Sequence, residues 1–395
     1  MRIWHFSETA YPHLPPEDDY ESVRVSMPNR YYDPDIGYEL YQNRIDEWCH
    51  ADELGIDIMI NEHHQTPTCV DPAAPIMTGV LARVTKNARL LILGNPIANR
   101  RQPVRVAEEM AMIDVISRGR LDMGLVRGSP YEIAPTNAMP VGQMDRFWEA
   151  HDLIIKSLTT TDGPFSWESE NFHYRKVNVW PRPYQTPHPP VWITATSPSS
   201  APRIAAHRYV IATLVSGVNA RDLFAAYREQ ARKDGWSPGP DRFAYCAVVG
   251  VGDTEAEGLR RANQIADYIR TSPIVAKEFA NPPGYKKIPA EIASIRMGPL
   301  GGSRPLKTPE GKLVNQRTGT IEEFIEACSA FAGTPDQVFE QIKRFHELVG
   351  GFGSLLMMGQ GGHLSHEDTV SNLTMFSQEV LPRLQELNIN VEAAE

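Results

Sequence analysis

Residues 89–128 read RLLILGNPIANRRQPVRVAEEMAMIDVISRGRLDMGLVRG, and the order of patterns in them decides the fold. "RLLILG" (89–94) is an apolar run of strand length. "PVRVAEEMAMIDVISRG" follows, opening on Pro103, which suits a first helical turn, and closing on Gly119, a helix stop. Within it Val106, Met110, Ile113 and Ser117 recur at helical spacing and make one stripe. "RLDMGLV" (120–126) is again a strand. A strand, a helix and a strand in this order form a βαβ unit, whose crossover requires the two strands to be parallel.

The same alternation extends in both directions. Further strands are expected at 2–6 ("RIWHF"), 56–60 ("IDIMI"), 190–195 ("PVWITA"), 209–214 ("YVIATL"), 242–251 ("RFAYCAVVGV") and 353–359 ("GSLLMMG"). Helices are expected from about Tyr38 to Leu54, and over 71–85 with Asp71 as cap and Pro72 at the first position. Others fall at 142–158, 197–208, 219–235, 254–270, 334–351 (with Thr334 and Gln337 as a capping box) and 366–387. "FSWESENFHYRKVNV" (165–179) reads as a surface hairpin. Eight strand–helix steps predict a (β/α)8 TIM barrel, one domain over 1–395, with every strand's C-terminal end on one rim. Residues 273–318, rich in Pro, Gly, Lys and Arg, interrupt the rhythm between strands seven and eight. They read as an insertion over the barrel mouth, a lid, with Lys286, Lys287, Arg296 and Arg317 available to close on an anion.

Bulk composition narrows the partners. The chain has 395 residues, 42% of them hydrophobic, and a formal net charge of −10, which argues against nucleic acid or an anionic membrane surface as the main partner. Cys49, Cys69, Cys246 and Cys328 are far apart with no CxxC, which argues against a disulfide framework and suits a reducing compartment. The first residues turn acidic without an apolar signal core, and no apolar run approaches the ~18 residues that span a bilayer, so a cytoplasmic protein is expected.

Three rim segments carry chemistry. "NEHH" (61–64) ends the second strand. Strand side chains alternate, so His63 and His64 cannot both enter one pocket, which weakens a two-histidine metal site. One of them is left as an acid–base candidate and the other as a hydrogen-bonded structural group. "LVRGSPYE" puts Arg127 directly after the fourth strand, where its guanidinium suits either a phosphate or a neighbouring carboxylate. "ITATSPSSAP" takes a strand into a helix start bearing Thr196, Ser197 and Ser200, which suits an anion, beside plain capping by Ser197. Neither GxGxxG nor GxxxxGK[ST] occurs. The two halves sit on adjacent strand ends, so a phosphorylated cofactor lying across the rim is expected.

In this order "NEHH", the 93–128 block, "WPRPYQTPHPPVWITATSPSS" (180–200) and "GTPDQVFEQI" (333–342) resemble the bacterial luciferase-like flavin-dependent monooxygenases over nearly the whole chain. The resemblance implies a TIM barrel that receives reduced FMN from a separate NAD(P)H-dependent flavin reductase. It also implies O2 as co-substrate and oxygenation of a small hydrophobic organic molecule through a flavin peroxide. Carried over by position, Arg127, Thr196, Ser197 and Ser200 would hold the FMN phosphate. Asn95 and Glu62 would contact the flavin, with Met358 (or Met357) beside the ring. His63 would be the catalytic proton-transfer group, and His5 and Tyr131 would meet the substrate, in a mouth that also includes Trp4, Phe6 and Phe352. An unusual cis peptide of this family would sit most cheaply at Asn95–Pro96. Homodimerisation is the family default. Alternatives within the same barrel are a deazaflavin-dependent hydride transferase and a non-catalytic flavin-binding subunit.

Overall fold

In the computed structural model, which describes residues 1–286, 288, 292 and 305–392, the strand–helix alternation closes on itself. The barrel strands are β1 (Arg2–Ser7), β2 (Asp57–Ile60), β3 (Leu90–Pro96) and β4 (Leu121–Val126). After the antiparallel hairpin β5 (Phe165–Glu168) and β6 (His173–Val177) come β7 (Val191–Thr194), β8 (Val210–Leu214) and β9 (Phe243–Val251). A second hairpin, β10 (Leu306–Lys307) and β11 (Leu313–Val314), precedes β12 (Ala330–Gly333) and the last barrel strand, β13 (Ser354–Gln360). Neighbours run β13–β1–β2–β3–β4–β7–β8–β9, all parallel, and β9 pairs back onto β13 to close an eight-stranded TIM barrel.

Pleat alternation divides the apolar residues into two layers. Trp4, Phe6, Met59, Leu91, Leu93, Cys246 and Met358 form an inner cluster, and Ile3, Ile58, Ile60, Ile92 and Met357 pack outward under the helices. In β3, Leu90 to Leu93 are all buried, each contributing roughly 1.5–3 kcal/mol. The helix Pro103–Ser117 stops where expected, with Arg118 (φ 57°) and Gly119 (φ 84°) in the left-handed region.

Several boundaries differ from the sequence expectation. The first long helix starts at Pro34, capped by Asp33, whose side chain accepts the Asp35 amide. The next starts at Ala74 without a side-chain cap, and the Asp71 backbone carbonyl instead accepts the His63 amide (3.4 Å). The stretch after 318 holds a short helix, Ile321–Glu326, and β12, which extends the sheet along β9 beyond the last residue paired with β8. Four residues are too few for periodicity to register. Residues 273–318 contain a helical turn (Lys277–Ala280) and the β10–β11 hairpin, whose Leu306 and Val314 join the inner cluster; Lys287 and Arg296 lie outside the described residues. Among the described residues the cis peptide bonds are Trp180–Pro181 and Thr186–Pro187, whereas Asn95–Pro96 stays in a strand paired through Pro96 with Val126. Among the described residues no helix is long and apolar enough to cross a membrane.

Candidate active site

At the C-terminal rim, the residues after β2 continue its alternation into two separate networks. Asn61 and His63 turn one way: the Asn61 amide donates to Glu8 Oε2 (2.6 Å), and His63 Nδ1 lies 2.9 Å from Glu132 Oε1. Glu62 and His64 turn the other way. The Glu62 carboxylate takes Arg100 at both oxygens (2.7 and 3.0 Å), His64 Nε2 (3.1 Å) and the Ala74 amide (3.1 Å). That leaves the Glu62 carboxylate held by the helix layer, whereas the sequence reading had it at the flavin. The two histidines bind different carboxylates and share no ligand position.

Glu132 is the residue that sequence reading missed. It sits in the turn Pro130–Ile133, where Ser129 and Glu132 form a capping box, and its Oε2 accepts the Ser129 amide at 2.6 Å. The S-x-x-E spacing after a rim strand was the available signal. Burial works to raise its pKa, but the His63 imidazole and the Ser129 amide outweigh it and hold the carboxyl below its usual range. A carboxylate only accepts, so Nδ1 of His63 carries a proton and Nε2 is the atom left to exchange one. The His63 side chain is 20% exposed and that of Glu132 2%, so the carboxylate fixes the ring while the ring reaches the mouth.

Tyr131 lies beside this dyad, its ring centroid 6.1 Å from that of His63. It is pinned by Arg24, whose guanidinium sits 4.3 Å over the ring and donates to the hydroxyl at 2.5 Å. Arg24 comes from the N-terminal excursion. Its Nε donates to the Ser272 carbonyl (3.0 Å), its amide donates to Ser22 Oγ (3.2 Å), and the flanking Val23 and Val25 amides donate to Ile274 O and Gln65 O. Val25 (φ 72°) and Thr9 (φ 48°), next to Glu8, are both in the left-handed region, a costly place for β-branched residues. Burial raises the pKa of Glu8. The mouth is thus lined by charge and phenol as well as by Phe6 and Met358, more polar than the sequence suggested.

His5 is elsewhere. It alternates with Trp4 and Phe6 and so faces outward, within the fields of Arg44 and His50 on the helix Pro34–Glu53. Burial there, with the fields of Arg44 and His50, lowers its pKa to about 3, and the side chain faces away from the mouth in which the sequence reading put it. Phe352 precedes β13 at the opposite end of the barrel, packed on Phe345 and Tyr245. Trp4 closes the floor edge-on to Trp192, with centroids 5.2 Å apart.

The expected flavin groups separate into a strong and a weak half. Asn95 is fully buried past the β3 irregularity, and neither atom of its amide has a partner, which is costly without a ligand. Arg127 lies over the Tyr285 ring (4.1 Å) and, among the described residues, has no carboxylate in ion-pair range; Tyr285 in turn donates to Gly128 O (3.0 Å). These features fit a flavin carrying a phosphate. Pairing of Leu125 with Ile193 brings Arg127 level with the start of the Ser197 turn. There the Ser197 and Ser199 hydroxyls pair at 2.7 Å, and the Ser199 and Ser200 amides already donate to Ser197 atoms. The helix beyond, Ala201–Ala206, is too short for much dipole, and Thr196 is exposed, so Arg127 and the hydroxyls carry this half. Met358 points inward and Met357 outward.

A family described as "Luciferase-like monooxygenase" matches residues 33–350. The oxygenase component of flavin-dependent trigonelline monooxygenase from Acinetobacter baylyi is 32% identical over 327 residues, 78% of this chain and 85% of that protein. The alkanal monooxygenase beta chain of Vibrio harveyi is 27% identical over 161 residues; these cover 40% of this chain and about half, 49%, of that relative's length. Among solved structures, the oxygenating constituent of 3,6-diketocamphane monooxygenase from a Pseudomonas putida plasmid, in complex with FMN, superposes with a TM-score of 0.68 at 20% identity. The superposition covers 96% of this chain and 97% of that one.

Proposed function

The chain belongs to the luciferase-like, flavin-dependent monooxygenases, and from that premise we propose that it is the oxygenase of a two-component system. It takes reduced FMN from a separate NAD(P)H-dependent flavin reductase and transfers one oxygen atom of O2 to a small organic substrate whose apolar part packs on Phe6 and Met358. Arg127 holds the FMN phosphate with Ser197, Ser200 and Thr196. Asn95 meets the polar edge of the ring system and Met358 its flank. Bound reduced flavin supplies the electrons for activating O2. The chain's own work is to position that ring, exclude water and manage one proton. His63 does the last at Nε2, and Glu132 keeps its tautomer and orientation. The stretches 273–286 and 305–318 act as the lid, Tyr285 closing over Arg127. Ile76, Val80 and Val84 on one helix, with Met112, Val115 and Ile116 on its neighbour, are exposed and support a homodimer packed through those faces.

The observation that carries this reading is the Asn95 amide, buried with both atoms unbonded in a mouth that also holds Arg127. It is tested by titrating the protein with FMN and with a deazaflavin, then following O2 uptake with a flavin reductase and 18O-labelled oxygen. Tight FMN binding and label in an organic product are expected. Preference for the deazaflavin, or FMN binding with no labelled product across a broad substrate panel, would overturn it.

A further inference from the structure

Three buried carboxylates in this protein are met directly by arginine. Glu62 pairs with Arg100, Glu47 with Arg44 and Asp122 with Arg89. Glu8 and Arg24 are not paired in this way. They are 4% and 5% exposed, both stand at the barrel mouth, and neither forms an ion pair with any described residue. Everything that touches Arg24 is neutral: the Ser272 carbonyl, the Tyr131 hydroxyl and ring, and Tyr268. The Glu8 carboxylate takes the neutral Asn61 amide and is in hydrogen-bonding reach of the same Tyr268 hydroxyl. Two opposite charges are therefore held one phenol apart. Direct contact would neutralise both, and an unpaired buried ion is costly, so something must favour the gap. The loops that enforce it are themselves strained at Thr9 and Val25, next to Glu8 and Arg24.

We propose that the substrate is a small zwitterion, a ring or short chain with a carboxylate-type anion received by Arg24 and a cationic nitrogen received by Glu8. A ligand with one charge would answer one of the two ions and leave the other as it is. A ligand with both neutralises the pair at once, and its uncharged middle lies against Tyr131 and Tyr268, whose faces suit an alkylated nitrogen. This names the substrate class of the oxygenase reading above and rests on it.

The test is calorimetric titration of the FMN-loaded protein with four probes of similar size: N-methylpyridinium-3-carboxylate, pyridine-3-carboxylate, N-methylpyridinium and acetophenone. The zwitterion is expected to bind at least about tenfold tighter than any of the others. Arg24→Met should remove its advantage over the cation, and Glu8→Gln its advantage over the anion; Arg24→Lys should restore part of the first loss. FMN affinity and melting, followed in each variant, separate loss of recognition from loss of fold. The proposal is overturned if acetophenone binds as tightly as the zwitterion, or if no charged probe binds to protein that holds FMN. Failure to bind FMN would instead sink the flavin reading, and the same panel on flavin-free protein would still decide this one.

Discussion

At the N-terminal end of the barrel Arg2 meets Asp57 at 3.0 Å, Arg89 meets Asp122 at 2.5 Å, and Asp52 takes the amides of Lys86, Asn87 and Ala88. At the C-terminal end, among the described residues, Glu8 and Arg24 meet no ion, and the Asn95 side-chain amide has no hydrogen-bond partner. Backbone strain follows the same division. Among the described residues the β-branched ones with positive φ are Thr9, Val25 and Val215, and all three lie just past strand ends or in loops over the mouth. Both ends are built from the same eight strands, so the difference is imposed by loops. One end closes its electrostatics within the chain and contributes stability. The other is left incomplete at a cost, which is how a barrel of this kind separates folding from binding.

The largest effect that could break this contrast is at His63. His63→Ala should lower coupled oxygenation by about 10²–10⁴-fold with FMN affinity unchanged, since general acid–base groups contribute that much. Undiminished labelled product would remove His63 from the chemistry. Arg127→Met comes next, weakening FMN by about 10–100-fold through loss of a charge-assisted contact, read by fluorescence titration. At the opposite end, Asp52→Asn should leave flavin binding alone and lower stability by about 1–3 kcal/mol in urea.

Asp52 also sharpens the comparison through pH. Burial works to raise its pKa, but the three amides outweigh it and hold the carboxyl below its usual 3.8. Its contribution is therefore present above that value and lost as pH falls through the lower folded one, so the variant should lose less stability than wild type as pH falls below about 4. The smallest effect is Val25→Asn. Asparagine tolerates the left-handed region, so a gain of about 1 kcal/mol is expected, measured by denaturant unfolding. A loss would mean that the excursion is not strained there.

The barrel itself was legible because strand and helix periods repeat along the chain, and Pro103, Gly119 and Thr334 punctuate them with local chemistry. Local signals also placed His63, Arg127 and Asn95 on the rim. The rest depended on contacts between distant segments. Arg24 reaches Tyr131 across 107 positions and His63 reaches Glu132 across 69, and no window of sequence contains both partners. The face that His5 takes was hard to read for a different reason. The residue shares a strand with Trp4 and Phe6, and its face follows only from counting alternate residues against the inner cluster. The helix start at Ser197 offers an anion its hydroxyls rather than its amides, because the helix ends after six residues and its own turn consumes the amides, which the capping pattern in the sequence does not reveal.

The division of "NEHH" between two networks also predicts how this enzyme could be re-engineered. Libraries that randomise positions 61 and 63 should change what is made and how fast, while most survive expression. Libraries at 62 and 64 should mainly produce proteins that fail to accumulate, because Glu62 ties Arg100 to the start of the helix at Ala74. Four adjacent codons thus form two interleaved design spaces, and a screen that mixes them would discard catalytic variation together with misfolded clones.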